Sequence, residues 1–249
     1  MAHRLGTAAI AVTVLAGCAP HATVAHIPLA PLSVPSPTPT PTHTTAPPTP
    51  TASPRPKALP RPSFTWSQSR VTKADLPHSW RPGCPLGPDA LRMLTVHYIG
   101  FDGSSHSGEI VVNVSAVGPV VGAFRDLYTA GFPIRRMVPV DVYGGSDDAS
   151  AAADNTSGFN CRRAVSSGPP SWSQHAYGLA IDVNPVENPY LEGERVIPPA
   201  GAAFTNRSQR RPGMATAGGT LVRAFARHGW RWGGGWSHPD FQHFSANGR

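Results

Sequence analysis

Lysine is nearly missing from this chain: of 21 basic residues only Lys57 and Lys73 are lysines, and the rest are arginines. Charged residues make up just 14% of the 249 positions, and no stretch of them builds a basic helix. The formal net charge of +7 still draws the protein to polyanions: nucleic acid, anionic lipid or an anionic cell wall. The arginines are scattered apart from Arg207, Arg210 and Arg211, and no aromatic-studded RNA motif accompanies them, so no nucleic-acid partner is expected. A Gly-x-Ser-x-Gly elbow and a Ser-x-x-Lys motif are both absent, which argues against a serine hydrolase. The glycines at 233–235 carry no phosphate-loop pattern, and no internal repeat is visible. Cysteine is scarce as well, with three residues.

Glycine and proline are abundant, 25 and 29 residues, which favours a loop-rich α+β or β-rich domain over a helical bundle. Thirteen of the prolines fall between Pro28 and Pro62, interleaved with Thr, Ser and Ala. Such a segment cannot bury apolar surface and favours polyproline II. At ~3.1 Å per residue it can reach roughly 100 Å, as a stalk would. Before it, a short basic start leads into the apolar stretch from Leu5 to Ala16, which has signal-peptide length and is too short to span a bilayer. The stretch ends in Leu15-Ala16-Gly17-Cys18, which resembles a bacterial lipobox. A secretory signal with a chance cysteine is the alternative. The expected organisation is a lipoprotein signal peptide at 1–17, a lipid-anchored Pro/Thr-rich linker at 18–63 and one folded domain at 64–249. The domain would then sit outside the cell membrane, tethered through Cys18 and reaching into the wall. With Cys18 lipidated, Cys84 and Cys161 are left as an even pair, expected to form a disulfide in an oxidising compartment. Two free buried thiols are the alternative.

Within the folded region strand and helix signals mix without regular βαβ alternation, which points to α+β. Leu91–Ile99 and Glu109–Val114 read as strands. Ser115 can cap a helix whose apolar positions are Val117, Val120, Val121, Phe124, Leu127 and Tyr128, stopped by Gly131 and Pro133. Gly178–Val183 reads as a buried strand, Gly218–His228 as a helix and Asp240–Phe244 as the last strand.

Two segments carry the chemistry. One runs from Ser173 to Asp182 (Ser-Gln-His-Ala-Tyr-Gly-Leu-Ala-Ile-Asp), the other from Trp232 to Phe244 and contains Asp240 and His243. Zinc takes neutral imidazole and carboxylate ligands, and a hydrolytic site keeps one position open. His175, Asp182 and His243 suit that demand. Asp182 lies between Ile181 and Val183, where an unpaired charge is costly, so it needs a cation, an arginine or a turn to cap. His238, next to Pro239, reads as a loop-surface histidine, and His97 as a core or edge histidine. Ser173 can support His175 or simply shape a turn. Of Trp230, Trp232 and Trp236, at most one is assigned to a cleft, with Trp236 chosen.

The pattern Ser-x-His-x-x-Gly-x-Ala-x-Asp, followed about sixty residues later by Asp-x-x-His-Phe, resembles the M15 D-Ala-D-Ala carboxypeptidase family of zinc peptidases. His175-Ala-Tyr-Gly-Leu-Ala-Ile-Asp182-Val-Asn-Pro185, Asn188-Pro-Tyr190, Gly229-Trp-Arg-Trp232 and Asn155-Thr-Ser-Gly-Phe159-Asn-Cys-Arg162 are similar to its L-alanyl-D-glutamate endopeptidase-like subgroup. The resemblance implies a single domain with a small antiparallel sheet and flanking helices, a hedgehog/D-Ala-D-Ala peptidase-like zinc core, and Zn2+ held by His175, Asp182 and His243. It implies that Asp240 is the general base, where some relatives carry Glu, and that Arg162 binds substrate or polarises its carbonyl, with Arg163 leaving the register open. Arg162, Ser173 and Trp236 would touch a peptidoglycan stem peptide, cut by a monomer. Lysostaphin-like peptidases usually show His-x-His where this chain has Asp240-x-x-His243. A cysteine transpeptidase would need a free cysteine. A non-catalytic wall- or metal-binding module of the same fold is the main rival, and it would have no need of Asp240.

Overall fold

The computed structural model describes residues 62–165 and 169–249. The signal stretch, Cys18 and nearly all of the linker lie outside the described residues. Two faces of one β-sheet organise the packing. β1 (Trp66–Arg70), β2 (Leu91–Ile99) and β3 (Ser105–Asn113) form an antiparallel sheet in that order, with Leu91 opposite Asn113 and Ile99 opposite Ser105. Alternation splits the apolar residues between the faces. Leu94, Val96, Tyr98, Ile110 and Val112 turn into the larger core. Leu91 and Val111, with Met93 packed alongside, meet Phe159, Cys161, Trp80 and Leu86 on the opposite face.

The larger core is closed by α1 (Val117–Ala130), which packs on β2 and on α3 (Thr220–Arg227). Its Val120, Val121, Phe124, Leu127 and Tyr128 are buried in the helical spacing expected of them. Gly131 ends α1 with φ +65°, its N–H donating to Leu127 and Tyr128 carbonyls, a conformation glycine adopts without Cβ strain. Ser115 does not cap this helix. Asn113 caps the short turn before it by accepting from Ser115 N–H, and Ala116 holds the N-cap place of α1.

A second antiparallel sheet has the order β4 (Ala180–Asp182), β8 (His243–Ser245), β7 (Arg231–Trp232), and β5 (Tyr190–Glu192) pairs with β6 (Arg195–Ile197) as a hairpin. The small antiparallel sheets and flanking helices form the α+β domain that was expected, with two three-stranded sheets and a hairpin. β4 and β8 are shorter than the sequence implies, because pairing with a three-residue partner sets their ends. Ile181 and Phe244 are cross-strand neighbours in the core, with Phe244 stacked 4.4 Å from Phe225 of α3. Cys84 and Cys161 are disulfide-bonded, their Cα atoms 5.8 Å apart. Among the described residues no helix is long and apolar enough to cross a membrane.

Candidate metal centre

The register that buries Ile181 against Phe244 places Asp182 directly opposite His243 on the other face of the β4–β8 pair. A one-residue slip would exchange these faces, so the core sets the site's register. The third group, His175, sits on a short 3-10 turn, Gln174–Tyr177. Ser173 caps that turn, its Oγ accepting from His175 N–H at 3.3 Å. Gly178 ends it at φ +62°, and a Cβ there would come within 2.5 Å of Asn113 N, so the turn can lie against β3 only with glycine.

His175, Asp182 and His243 are all buried, and their donor atoms lie within 4.8 Å of one another. His175 Nδ1 faces the Gly158 carbonyl at 2.6 Å, and His243 Nε2 faces the Arg249 main-chain oxygen at 3.0 Å. Such a main-chain oxygen only accepts, so each of these nitrogens carries a proton. The remaining nitrogens, His175 Nε2 and His243 Nδ1, turn inward, 3.3 Å from each other and each 3.1 Å from an Asp182 oxygen. Lone pairs converging this closely repel unless a cation lies among them. A tetrahedral centre with bonds of ~2.0–2.1 Å sets its ligand atoms about 3.3 Å apart. The three side chains fit a metal ion by donor type, tautomer and spacing.

Without a cation, a proton on His243 Nδ1 can take the same place and bridge to Asp182. Burial pushes the Asp182 carboxyl up, but His175 and His243 outweigh it and hold it well below the usual carboxylate range. For His243, burial favours the neutral ring, while the hydrogen bond and charge of Asp182 raise its pKa overall. Asp240 goes the other way: burial first, then the negative charge of Asp182, push it up to about 6. Its Oδ1 is buried without a hydrogen-bond partner among the described residues. The backbone of Asp240 is fixed by its N–H to Gly233 carbonyl at 3.1 Å and by an antiparallel bridge to Tyr190.

A cleft of about 1220 Å3 opens over this cluster, lined by Arg162, Ser173, Trp236 and Asp240 among others. Arg162 lines it, whereas Arg163 lies over the Trp172 ring at 3.9 Å. Trp236 reaches the cluster, its ring 5.2 Å from that of His243, whereas Trp230 is core. His238 is an exposed residue of the cleft rim. His97 shares a hydrogen bond with Thr65 beside the edge strand β1. Asp147, which also lines the cleft and meets Arg162, carried no signal in the sequence. The two main-chain oxygens that orient the imidazoles were equally silent, since main-chain atoms leave no residue-type signature.

Within the α+β domain, a buried group of two histidines and one carboxylate, with the Asp240 carboxyl nearby, could hold a metal ion. Residues 167–246 match the family model described as D-alanyl-D-alanine carboxypeptidase, an M15 peptidase model. That segment contains all three clustered residues and Asp240. No curated protein and no solved structure gives a match.

Proposed function

We propose that the protein is a zinc-dependent peptidase that hydrolyses peptide bonds in peptidoglycan stem peptides. The observation that carries the reading is the convergence of His175 Nε2, His243 Nδ1 and Asp182 near Asp240, whose buried Oδ1 has no hydrogen-bond partner among the described residues. Zinc held by these three residues would lower the pKa of a water molecule and polarise the scissile carbonyl. Asp240 accepts the proton of the attacking water and returns it to the leaving amine, a role suited to a carboxyl whose proton affinity is raised towards neutrality. Arg162 offers its guanidinium to the developing oxyanion or to a substrate carboxylate. Trp236, the segment from Ser171 to Ser173, and Tyr190 and Glu192 of the hairpin all line the cleft that would hold the substrate.

The cleft exceeds the ~300–1,000 Å3 of drug-sized pockets, which supports an extended peptide as the occupant. In this reading the domain works outside the cell membrane, anchored through lipidated Cys18 and carried into the wall by the proline-rich linker. Mass spectrometry of muropeptides incubated with the zinc-loaded domain tests the substrate class and names the bond. Release of terminal D-Ala identifies a carboxypeptidase, and scission at L-Ala–D-Glu an endopeptidase. Intact muropeptides with zinc stoichiometrically bound would overturn the reading.

A further inference from the structure

We propose that Asp147 is the positioning residue for Arg162, holding its guanidinium beside the metal cluster and away from Asp240; this rests on the peptidase reading above. Asp147 opens α2 (Asp147–Ala152), and its Oδ1 lies 2.9 Å from Arg162 Nε. The Nε–H is not aimed at that oxygen, so the contact is an ion pair rather than an aligned hydrogen bond. Both residues line the cleft.

The backbones on the two sides of the pair are tied together. Asn160, two residues before Arg162, donates from Nδ2 to the carbonyl of Gly145, two residues before Asp147, at 3.2 Å. Cys161 is fixed by its disulfide to Cys84 and by its N–H to Ser79 carbonyl at 2.9 Å. Ser79 is in turn anchored through its N–H and Oγ on Asp141. The α2 end is held by its Ser146 cap on Ala149 N–H and by buried Asn155, which donates to Ser150 Oγ at 3.0 Å. The pair thus joins two rigid segments, and neither partner has to be brought to the other by chain motion.

Arg162 also feels Asp182 and Asp240, so three carboxylates compete for one guanidinium. Paired with Asp147 on its Nε side, the guanidinium keeps its terminal nitrogens available: among the described residues Nη1 has only a long 3.4 Å contact to the Arg163 carbonyl. Without Asp147 the strongest remaining pull on Arg162 comes from the metal-ligand carboxylate and the base. An arginine folded onto Asp240 would neutralise the base and vacate the place where the substrate oxygen develops charge. Asp147 therefore acts through Arg162, keeping the base and the cation apart.

The test compares wild type, D147N, D147A and D147E as zinc-loaded full domains. The expected result is unchanged zinc content, kcat on muropeptide lowered about tenfold in D147N and D147A with a smaller change in KM, and most of the rate regained in D147E. D147N preserves side-chain shape, so a rate loss with unaltered thermal melting is not misfolding. Arginine side-chain 1H–15N spectra supply a second readout, with the Arg162 Nε–H signal assigned by its loss in R162K. That signal should move in D147A. If wild type cleaves no muropeptide, the peptidase reading fails while this signal still reports on the pair. Activity of D147A within twofold of wild type, or an unmoved Arg162 signal, overturns the proposal.

Discussion

Asp240 and the three clustered residues are separable by substitution, because one group is read through turnover and the others through metal content. Asp240→Asn keeps the shape of the side chain and removes its basicity. The expected outcome is stoichiometric zinc with hydrolysis reduced by about 10²–10⁴-fold, measured by metal analysis alongside product release. His243→Ala and His175→Ala should instead lose zinc on dialysis, and a His243→Ala variant that still holds one equivalent would remove His243 from the ligand set. His175, Asp182 and His243 were legible in the sequence through the resemblance of their pattern to a zinc peptidase family; the spacing and the apolar strand around Asp182 alone left an arginine partner or a turn cap equally open. The partners that complete them were not. Gly158 and Arg249 contribute main-chain oxygens, and Asp147 reaches Arg162 only through the fold.

Elements bring those residues together, and two junctions carry most of that task. Gly178 lets the His175 turn lie against β3, and Gly178→Ala combines a left-handed backbone with a Cβ pressed on Asn113 N. Such strain costs about 1–3 kcal/mol, and it should lower the denaturation midpoint and weaken zinc retention together. The Cys84–Cys161 bond closes 77 residues of sequence separation and pins the segment that leads to Arg162. Replacing both cysteines by serine should lower stability by about 2–4 kcal/mol in urea titration, and an unchanged midpoint would contradict a stabilising role. β2 and α1 were readable in advance, since nine residues of β-branched pattern and a sustained helical stripe announce themselves. β4 and β8 were placed but not bounded. Three-residue strands take their ends from the partner across the sheet, and local sequence does not carry that information.

At the scale of the whole molecule, a second buried charge cluster ties distant parts of the chain together. Glu187 is buried beside Asp154, with Arg135 3.4 Å from both carboxylates and stacked over Phe101. Burial first, then Asp154, push the Glu187 carboxyl up to about 8. Its Oε2 is buried with no hydrogen-bond partner among the described residues, which a proton on that carboxyl, shared with Asp154, relieves. The folded pKa lies above the ordinary value of 4.5, so folding binds a proton here. Glu187 thus costs nothing below about pH 4.5, costs progressively more as pH rises towards 8, and costs most above it. Glu187→Gln should flatten that part of the pH–stability curve, and a difference between variant and wild type that stays constant from pH 5 to 8 would contradict the assignment. No local pattern revealed this cluster, because 52 residues separate Arg135 from Glu187. The α+β class was legible from mixed strand and helix signals, whereas the division into two sheets and a hairpin depended on which short strands found partners. One measurement bears on the whole account: muropeptide cleavage by the purified domain before chelation, after it, and after zinc is restored. The account predicts hydrolysis that vanishes with the chelator and returns with zinc, whereas cleavage indifferent to the chelator, or none with zinc bound, would contradict it.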